Sequence, residues 1–362
     1  MPKKLKILII SFYYPPSSAV GALRVFALYK FLKKNGYYVD VISSRFSKKY
    51  STKLKYTKFF FKPSQFIRSI DRTVFSKFLF DNLKLIDQSK GEYDIIISSY
   101  KPIASVILGI YYKVISKNSI LFVELRDLIS QFGRKKIFFP INLLDNLIDR
   151  IFISFFNEII VVSPASKYKA ERFYRRKVNL IFNGIDQQKN YYSKANDKIY
   201  ILYAGNLSNV RNLNTICNHI KSTTKQIELI VASNEDPKYY GGDYDFVNYI
   251  GFVDRSVLED KIKISNYLLI LEGYDKNSEE NIPAKLFEYL SFNIPIMALC
   301  SEKSEIMNIL NETNAGKNIN NFNVFESFLQ IKNYNPNSSI KKYFRENQFA
   351  KYLDLIEKYE KK

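Results

Sequence analysis

Short apolar runs alternate with helix-like stretches almost from end to end, and this alternation limits the fold more than any other feature of the sequence. "KILIIS" is followed by "AVGALRVFALYKFLKKNG", in which Val20, Arg24, Leu28 and Phe31 recur at helical spacing and Lys33 and Lys34 approach the C-terminal end. "YYVDVISS", "YDIIISS", "SILFVEL" and "NEIIVVSP" come next, with helical stretches between most of them. Strands that are apolar on both faces and separated by helices predict a mostly parallel sheet covered on both sides. The pattern then repeats. "IYILYA", "QIELIVAS", "YDFVNYIG", "NYLLILE" and "IPIMALC" read as strands, with "SVLEDKIKIS" and "AKLFEYLS" as helices between them.

Between the two halves the stretch after "NLIFNG" turns polar. The boundary is expected at 185–197, giving an N-terminal domain over 1–190 and a C-terminal domain over 191–341. A final helix over 342–362 remains. A chain of 362 residues is long for one core and comfortable for two. The opening "MPKKLKILIISFYYPP" is read as the first strand and not as a signal peptide, because its apolar run is short and proline and tyrosines follow it. No run is long and uninterrupted enough to predict a membrane span.

Composition removes several chemistries. Two cysteines, Cys217 and Cys300, make neither a disulfide framework nor a metal site, and a reducing compartment is the simple reading. The single histidine, His219, cannot anchor a zinc site alone. A formal net charge of +20 favours anionic partners, whether nucleic acid, acidic lipid or phosphorylated small molecules.

Open parallel sheets bind ligands beyond the carboxyl ends of their strands, so candidate groups are sought there. "SFYYPPSSAVGALR" lacks the glycine spacing of a dinucleotide fingerprint and the ending of a P-loop. It offers Gly21 for close backbone approach and Arg24 one turn into a helix, though ordinary helix packing explains both equally well. "VELRDL" ends a strand with Glu124, Arg126 and Asp127. Asp127 can take a proton or orient a hydroxyl; an ion pair holding the loop is the plainer reading. "YAGNLSNVRNL" offers Gly205 for a tight turn, Asn206 as a donor and Arg211 as a bidentate phosphate ligand, with surface arginine as the alternative.

"EGYDKNSEENIPAKLFEYLSFNIPIMALC" carries Glu280 in a loop, Pro283 at a helix start, then Lys285 and Glu288 inside the helix. Carboxylates there can accept from sugar or ribose hydroxyls, and Lys285 can reach a phosphate or Glu280. A solvated acidic loop before a packing helix fits the same spacing. Two carboxylates also suit a glycosidase, but that reading leaves Gly205, Arg211 and Lys285 unused.

Residues 45–90 hold twelve Lys or Arg against three Asp or Glu, interleaved with Phe and Tyr. An acidic membrane surface is the expected partner, since basic side chains meet headgroups while aromatics enter the interface. Surface lysines over buried aromatics, and single-stranded nucleic acid, remain open.

Taken in order along the chain, "PPSSAVGALR", "VELRDL", "NGID", "YAGNLSNVRNL" and "EENIPAKLFEYLSFNIPIMA" resemble the family-4 glycosyltransferases of the GT-B class. The last segment is the most specific, with a glutamate, seven residues and a second glutamate. The resemblance implies an α/β GT-B fold, two Rossmann-like domains facing each other across a cleft, and the last helix crossing back to the first domain. It implies metal-independent, retaining transfer of a sugar from a nucleotide-sugar to an acceptor hydroxyl, with no cofactor required. The diphosphate would lie near Gly21, Gly205, Asn206, Arg211 and Lys285, the ribose at Glu288, the donor sugar at Glu280, and the acceptor side at Asp127.

The N-terminal loop is poorer in glycine than is usual for the family. Asn206 stands where an arginine is common, and no histidine lies near "VELRDL". The donor is expected to be UDP-linked. The acceptor would be a glycan or a polyprenyl-diphosphate-linked sugar in bacterial surface-glycan synthesis. The place expected is the cytoplasm, peripheral on the inner face of the cell membrane, with no specific nucleic acid. A nucleotide-sugar epimerase or hydrolase on the same scaffold, or a noncatalytic nucleic-acid-binding protein, is the alternative.

Overall fold

The computed structural model of the chain describes residues 5–15, 17, 20–44, 73–88, 91–100, 102–126, 139–186, 188–189, 191, 198–330, 334 and 336–360. Of the expected membrane-facing stretch 45–90, residues 45–72 and 89–90 lie outside the described residues, as does the candidate Asp127. The chain divides into two compact units, Met1–Phe182 with Phe349–Lys362, and Asn183–Gln348.

The first unit is built on a six-stranded parallel sheet of β1 (Lys6–Ser11), β2 (Tyr38–Ile42), β3 (Ile95–Tyr100), β4 (Ile120–Leu125), β5 (Glu158–Val161) and β6 (Asn179–Leu180), in the order β2-β1-β3-β4-β5-β6. Strand alternation sends Leu8, Ile10, Ile96, Leu121 and Val123 into one core, and Ile7, Ile9, Ile95, Ile97 and Phe122 into another on the opposite face. This two-faced burial is why the strands read as unbroken apolar runs. Helices α1 (Val20–Lys34), α2 (Thr73–Gln88), α3 (Ile103–Ile115), α4 (Phe139–Ser154) and α5 (Pro164–Tyr174) connect them. Val25, Leu28 and Leu32 of α1 cover one face together with Phe349, Tyr352 and Ile356 of the last helix; α3 covers the other with Ile103, Val106, Leu108 and Tyr112.

The second unit has its own parallel sheet: β7 (Ile199–Ala204), β8 (Ile227–Ala232), β9 (Val247–Tyr249), β10 (Tyr267–Leu271), β11 (Ile296–Leu299) and β12 (Gly316–Asn318). Its order is β12-β11-β10-β7-β8-β9. Read from the first strand outward, this is the doubly wound dinucleotide-fold order, which reverses direction between β7 and β10. Its helices are α6 (Asn214–Ser222), α7 (Arg255–Ile264), α8 (Lys276–Glu280), α9 (Ala284–Leu290), α10 (Glu305–Thr313), α11 (Phe322–Phe328) and α12 (Arg345–Glu360), the last running on into the first unit's residues. The sequence reading leaves 272–282 as loop. The structure forms α8 there because the Asp275 carboxylate accepts from the amides of Asn277 and Ser278, which caps a single turn.

No helix among the described residues is long and apolar enough to cross a membrane.

Candidate functional site

The strand order of the second unit reverses between β7 and β10, and a doubly wound sheet receives its ligand beyond the carboxyl ends of the strands at such a point. Six candidates lie in the segments that follow these strands, and the structure groups three of them, Gly205, Lys285 and Arg211. Gly205 follows β7 directly with φ +148°, a backbone conformation that side chains rarely adopt. A Cβ there would come within 3.2 Å of Lys285 Nζ, so the glycine leaves the space in which the ammonium sits. The same ammonium lies 4.3 Å from the centre of the Tyr203 ring. Tyr203 is buried and anchors the turn by donating its hydroxyl to the Asn206 carbonyl at 2.8 Å. Asn206 itself is exposed.

Arg211 is the third member. Its Nε donates to Glu272 Oε1 at 2.9 Å and its Nη2 to Glu272 Oε2 at 3.0 Å, a bidentate pair. The Arg211 side chain remains 36% exposed while that of Glu272 is 2% exposed, so the cation faces outward and the carboxylate backs it from within. Asn281 Nδ2 donates to Glu272 Oε2 at 3.1 Å and the Gly273 amide to Oε1 at 3.3 Å.

Burial pushes the Lys285 amine down to about 7, helped by the charge of Arg211 and opposed by Glu272. Among the described residues no carboxylate or carbonyl is paired with Lys285. The Lys285 amine thus feels both the Arg211 cation and the Glu272 carboxylate, and a bound anion would favour its charged form.

The two glutamates of the most specific segment go to different places. Glu288 lies on α9 with Oε1 2.8 Å from Arg255 Nη1 at the start of α7, and is partly exposed. Glu280 is half-buried at the end of α8, and its neighbour Glu279 accepts from Ser301 Oγ at 2.6 Å.

In the first unit the residues singled out by sequence do different work. Gly21 lies inside α1, and a Cβ there would strike the Arg126 guanidinium, which fills the room a ligand was expected to use. Arg126 Nε donates to the Tyr100 carbonyl at 3.2 Å. Arg24, read as a possible aid to anion binding, is 1% exposed and belongs to the core. Its Nε is 3.1 Å from Glu124 Oε2, and its two terminal nitrogens donate to the carbonyls of Phe182 and Ile181.

Glu272 and Tyr203 escaped the sequence reading. A charge closing the apolar run "NYLLILE" was the available sign for Glu272. Tyr203 gave none, since an aromatic at the end of a strand is ordinary core. Among the described residues no cluster of three or more His, Cys, Asp or Glu side chains is placed to hold a metal ion.

No protein-family model matches the chain, and no curated protein sequence matches it. Solved structures do. The catalytic domain of starch synthase IV from Arabidopsis thaliana, bound to ADP and acarbose, matches with a TM-score of 0.62 at 14% identity over 99% of this chain and 100% of that one. Anabaena HepE in complex with UDP and glucose matches at 0.54 and 13%, over 96% and 94%. A protein from Listeria monocytogenes described as a UDP-N-acetylglucosamine 2-epimerase matches at 0.51 and 12%, over 99% and 97%. The two parallel six-stranded sheets with their alternating helices thus form a GT-B fold of two Rossmann-like units.

Proposed function

We propose that the chain is a metal-independent, retaining glycosyltransferase of family 4. It moves a sugar from a nucleotide-sugar, expected to be UDP-linked, to an acceptor hydroxyl. The observation that carries this reading is the pairing of Arg211 and Lys285 with the Gly205 turn at the strand-order reversal of the second unit. These groups suit a diphosphate. As the bond from the anomeric carbon to the leaving oxygen breaks, negative charge grows on that diphosphate, and fixed cations lower the barrier to the extent that they bind it more tightly than the intact donor. Gly205 and Asn206 line the turn, Glu288 accepts from the ribose and Glu280 lies by the donor sugar. Asp127 is assigned to the acceptor side, while Gly21, packed against Arg126, is left out of the scheme. Retention in this scheme needs no covalent enzyme intermediate, because the acceptor enters on the leaving group's own face.

The acceptor proposed is a glycan or polyprenyl-diphosphate-linked sugar of a bacterial surface polysaccharide, met by a cytoplasmic enzyme on the inner face of the membrane. The basic charge of the chain supports this reading. A donor screen tests it: purified protein is titrated with UDP, GDP and ADP sugars, and transfer to polyprenyl-linked acceptors is followed. Absence of nucleotide binding together with absence of transfer would end the proposal. The epimerase among the fold neighbours gives a second reading. An altered free sugar nucleotide formed without acceptor would favour it.

A further inference from the structure

Helix α4 is apolar on two sides, and only one of them meets the core. Ile153 and the following Phe156 are 1% exposed and Phe152 packs against the same cluster. Yet Leu147, Ile151 and Phe155, spaced four residues apart, are 56%, 48% and 42% exposed. This spacing puts them in one stripe along the outside of the helix and the turn that ends it. A helix apolar all round is normally buried on all sides, so an open stripe of large side chains marks a surface that meets something.

The charges around the stripe say what. Arg150 lies on the same helix, exposed, with its guanidinium 4.8 Å from the centre of the Phe173 ring on α5, so α5 flanks the stripe. Arg176 donates to the carbonyls of Ile153, Phe156 and Asn157, which fastens the "RRK" corner of residues 175–177 to the end of α4 beside Phe155. Arg172, Arg175 and Lys177 are exposed there, and Tyr168 of α5 is 65% exposed. Among the described side chains, the acids of the same segment do not offset them. Asp149 is buried and accepts from Tyr174, Glu158 is buried and held by Lys358 and Tyr359, and Glu171 is half-buried beside Lys167.

We propose that the outer face of α4 with the neighbouring end of α5 is a docking surface for an anionic lipid bilayer. Leu147, Ile151 and Phe155 enter the boundary between headgroups and acyl chains, and Arg150, Arg172 and Arg175 meet lipid phosphates. A large apolar contact set in a ring of cations is the chemistry of an interfacial element. The inference deepens the membrane-peripheral part of the function proposed above. It is read without donor or acceptor, so it can fail while nucleotide binding stands, and the reverse.

The full chain is sedimented with vesicles of phosphatidylcholine mixed with phosphatidylglycerol, and with phosphatidylcholine alone. Binding to the mixed vesicles is expected. Leu147→Ser/Ile151→Ser/Phe155→Ser and Arg172→Glu/Arg175→Glu should each weaken it by about tenfold or more, with nucleotide affinity unchanged. The chain has no tryptophan, so Ile151→Trp gives a single reporter that tests the surface without disturbing the core. Its emission should shift to the blue on the mixed vesicles, whereas Tyr239→Trp in the second unit should not respond. Three results would overturn the proposal. One is no binding to the mixed vesicles, or binding that the triple variant leaves intact. Another is an Ile151→Trp emission that ignores vesicles. The third is a dimer in solution, or a single-stranded oligonucleotide complex, that the triple variant dissolves.

Discussion

The guanidinium of Arg211 is held flat against the carboxylate of Glu272 by two hydrogen bonds of 2.9 and 3.0 Å. Read from sequence alone, Arg211 is a phosphate ligand or a surface arginine, and its loss should slow transfer more than it disrupts folding. The pair changes that expectation. Removing Arg211 leaves a carboxylate that is 2% exposed without its main partner.

Arg211→Ala should therefore lower stability by about 2–3 kcal/mol, the modest end for a buried charge that loses a half-exposed partner. The double variant Arg211→Ala/Glu272→Ala should recover much of that stability and none of the nucleotide affinity. Urea unfolding and UDP titration of the three proteins separate the two effects. If the double variant binds UDP as the unaltered protein does, Arg211 is a structural residue only.

Lys285 should make nucleotide binding depend on pH. Its amine is held down at about 7 in the free protein, and a bound diphosphate favours the charged form, which raises it. Below pH 7 the free amine already carries its proton and binding takes up none. Above pH 7, up to the raised value in the complex, binding takes up close to one proton. Affinity should then fall by up to tenfold for each pH unit between about 7.5 and 9. Calorimetric titration of UDP in buffers of different ionisation enthalpy measures the uptake. Lys285→Met should abolish both the uptake and the slope; a slope that survives in Lys285→Met belongs to another group.

The architecture was legible because its signal is long. β1, β3 and β4 are buried on both faces and so carry apolar runs, Ile7–Ile10, Ile95–Ile97 and Ile120–Val123, before their polar ends. The site was legible in part. Gly205 and Arg211 follow a strand, where a sheet of this kind has its ligand groups. Which cation is free and which is paired depends on partners remote in sequence. Glu272 is sixty-one residues from Arg211, and Glu124 takes Arg24 from a hundred residues along the chain. Spacing on one element carries no information about such pairs. The α8 turn was missed for the opposite reason: one capping carboxylate made it, and five residues are too few to show a period.

Gly205→Ala should cost about 1–3 kcal/mol, because φ +148° is strained for any residue with a Cβ. The new methyl would also press on the Lys285 ammonium. UDP affinity should fall more than stability does, as judged by titration beside thermal unfolding. Gly251→Ala, in the milder left-handed conformation at φ +70° and with open space at its Cβ, is the control for a methyl at positive φ away from Lys285 and should leave UDP affinity unchanged.

The buried triad of Arg24, Glu124 and Tyr352 should set the acid limit of the first unit. Tyr352 donates to Glu124 Oε2 at 2.5 Å, and Arg24 lies 3.1 Å from the same oxygen. Burial acts to raise the Glu124 carboxyl. The charges of Arg24 and Arg126 and the hydrogen bonds from Tyr352 and Arg24 outweigh it and hold the group below the ordinary carboxylate value. A carboxyl lowered on folding contributes stability that is present above its unfolded value, about 4.3, and is lost as pH falls through the folded one. Glu124→Gln should remove that acid dependence. It leaves Arg24 buried with no counter-charge, so stability at pH 7 should drop by about 3–5 kcal/mol. Tyr352→Phe removes one donor and should cost about 1–3 kcal/mol while keeping the acid dependence, with its midpoint moved to higher pH. Unfolding followed between pH 3 and pH 7 by circular dichroism measures all three. A Glu124→Gln protein with the unaltered acid profile would show that the acid limit lies in other carboxylates.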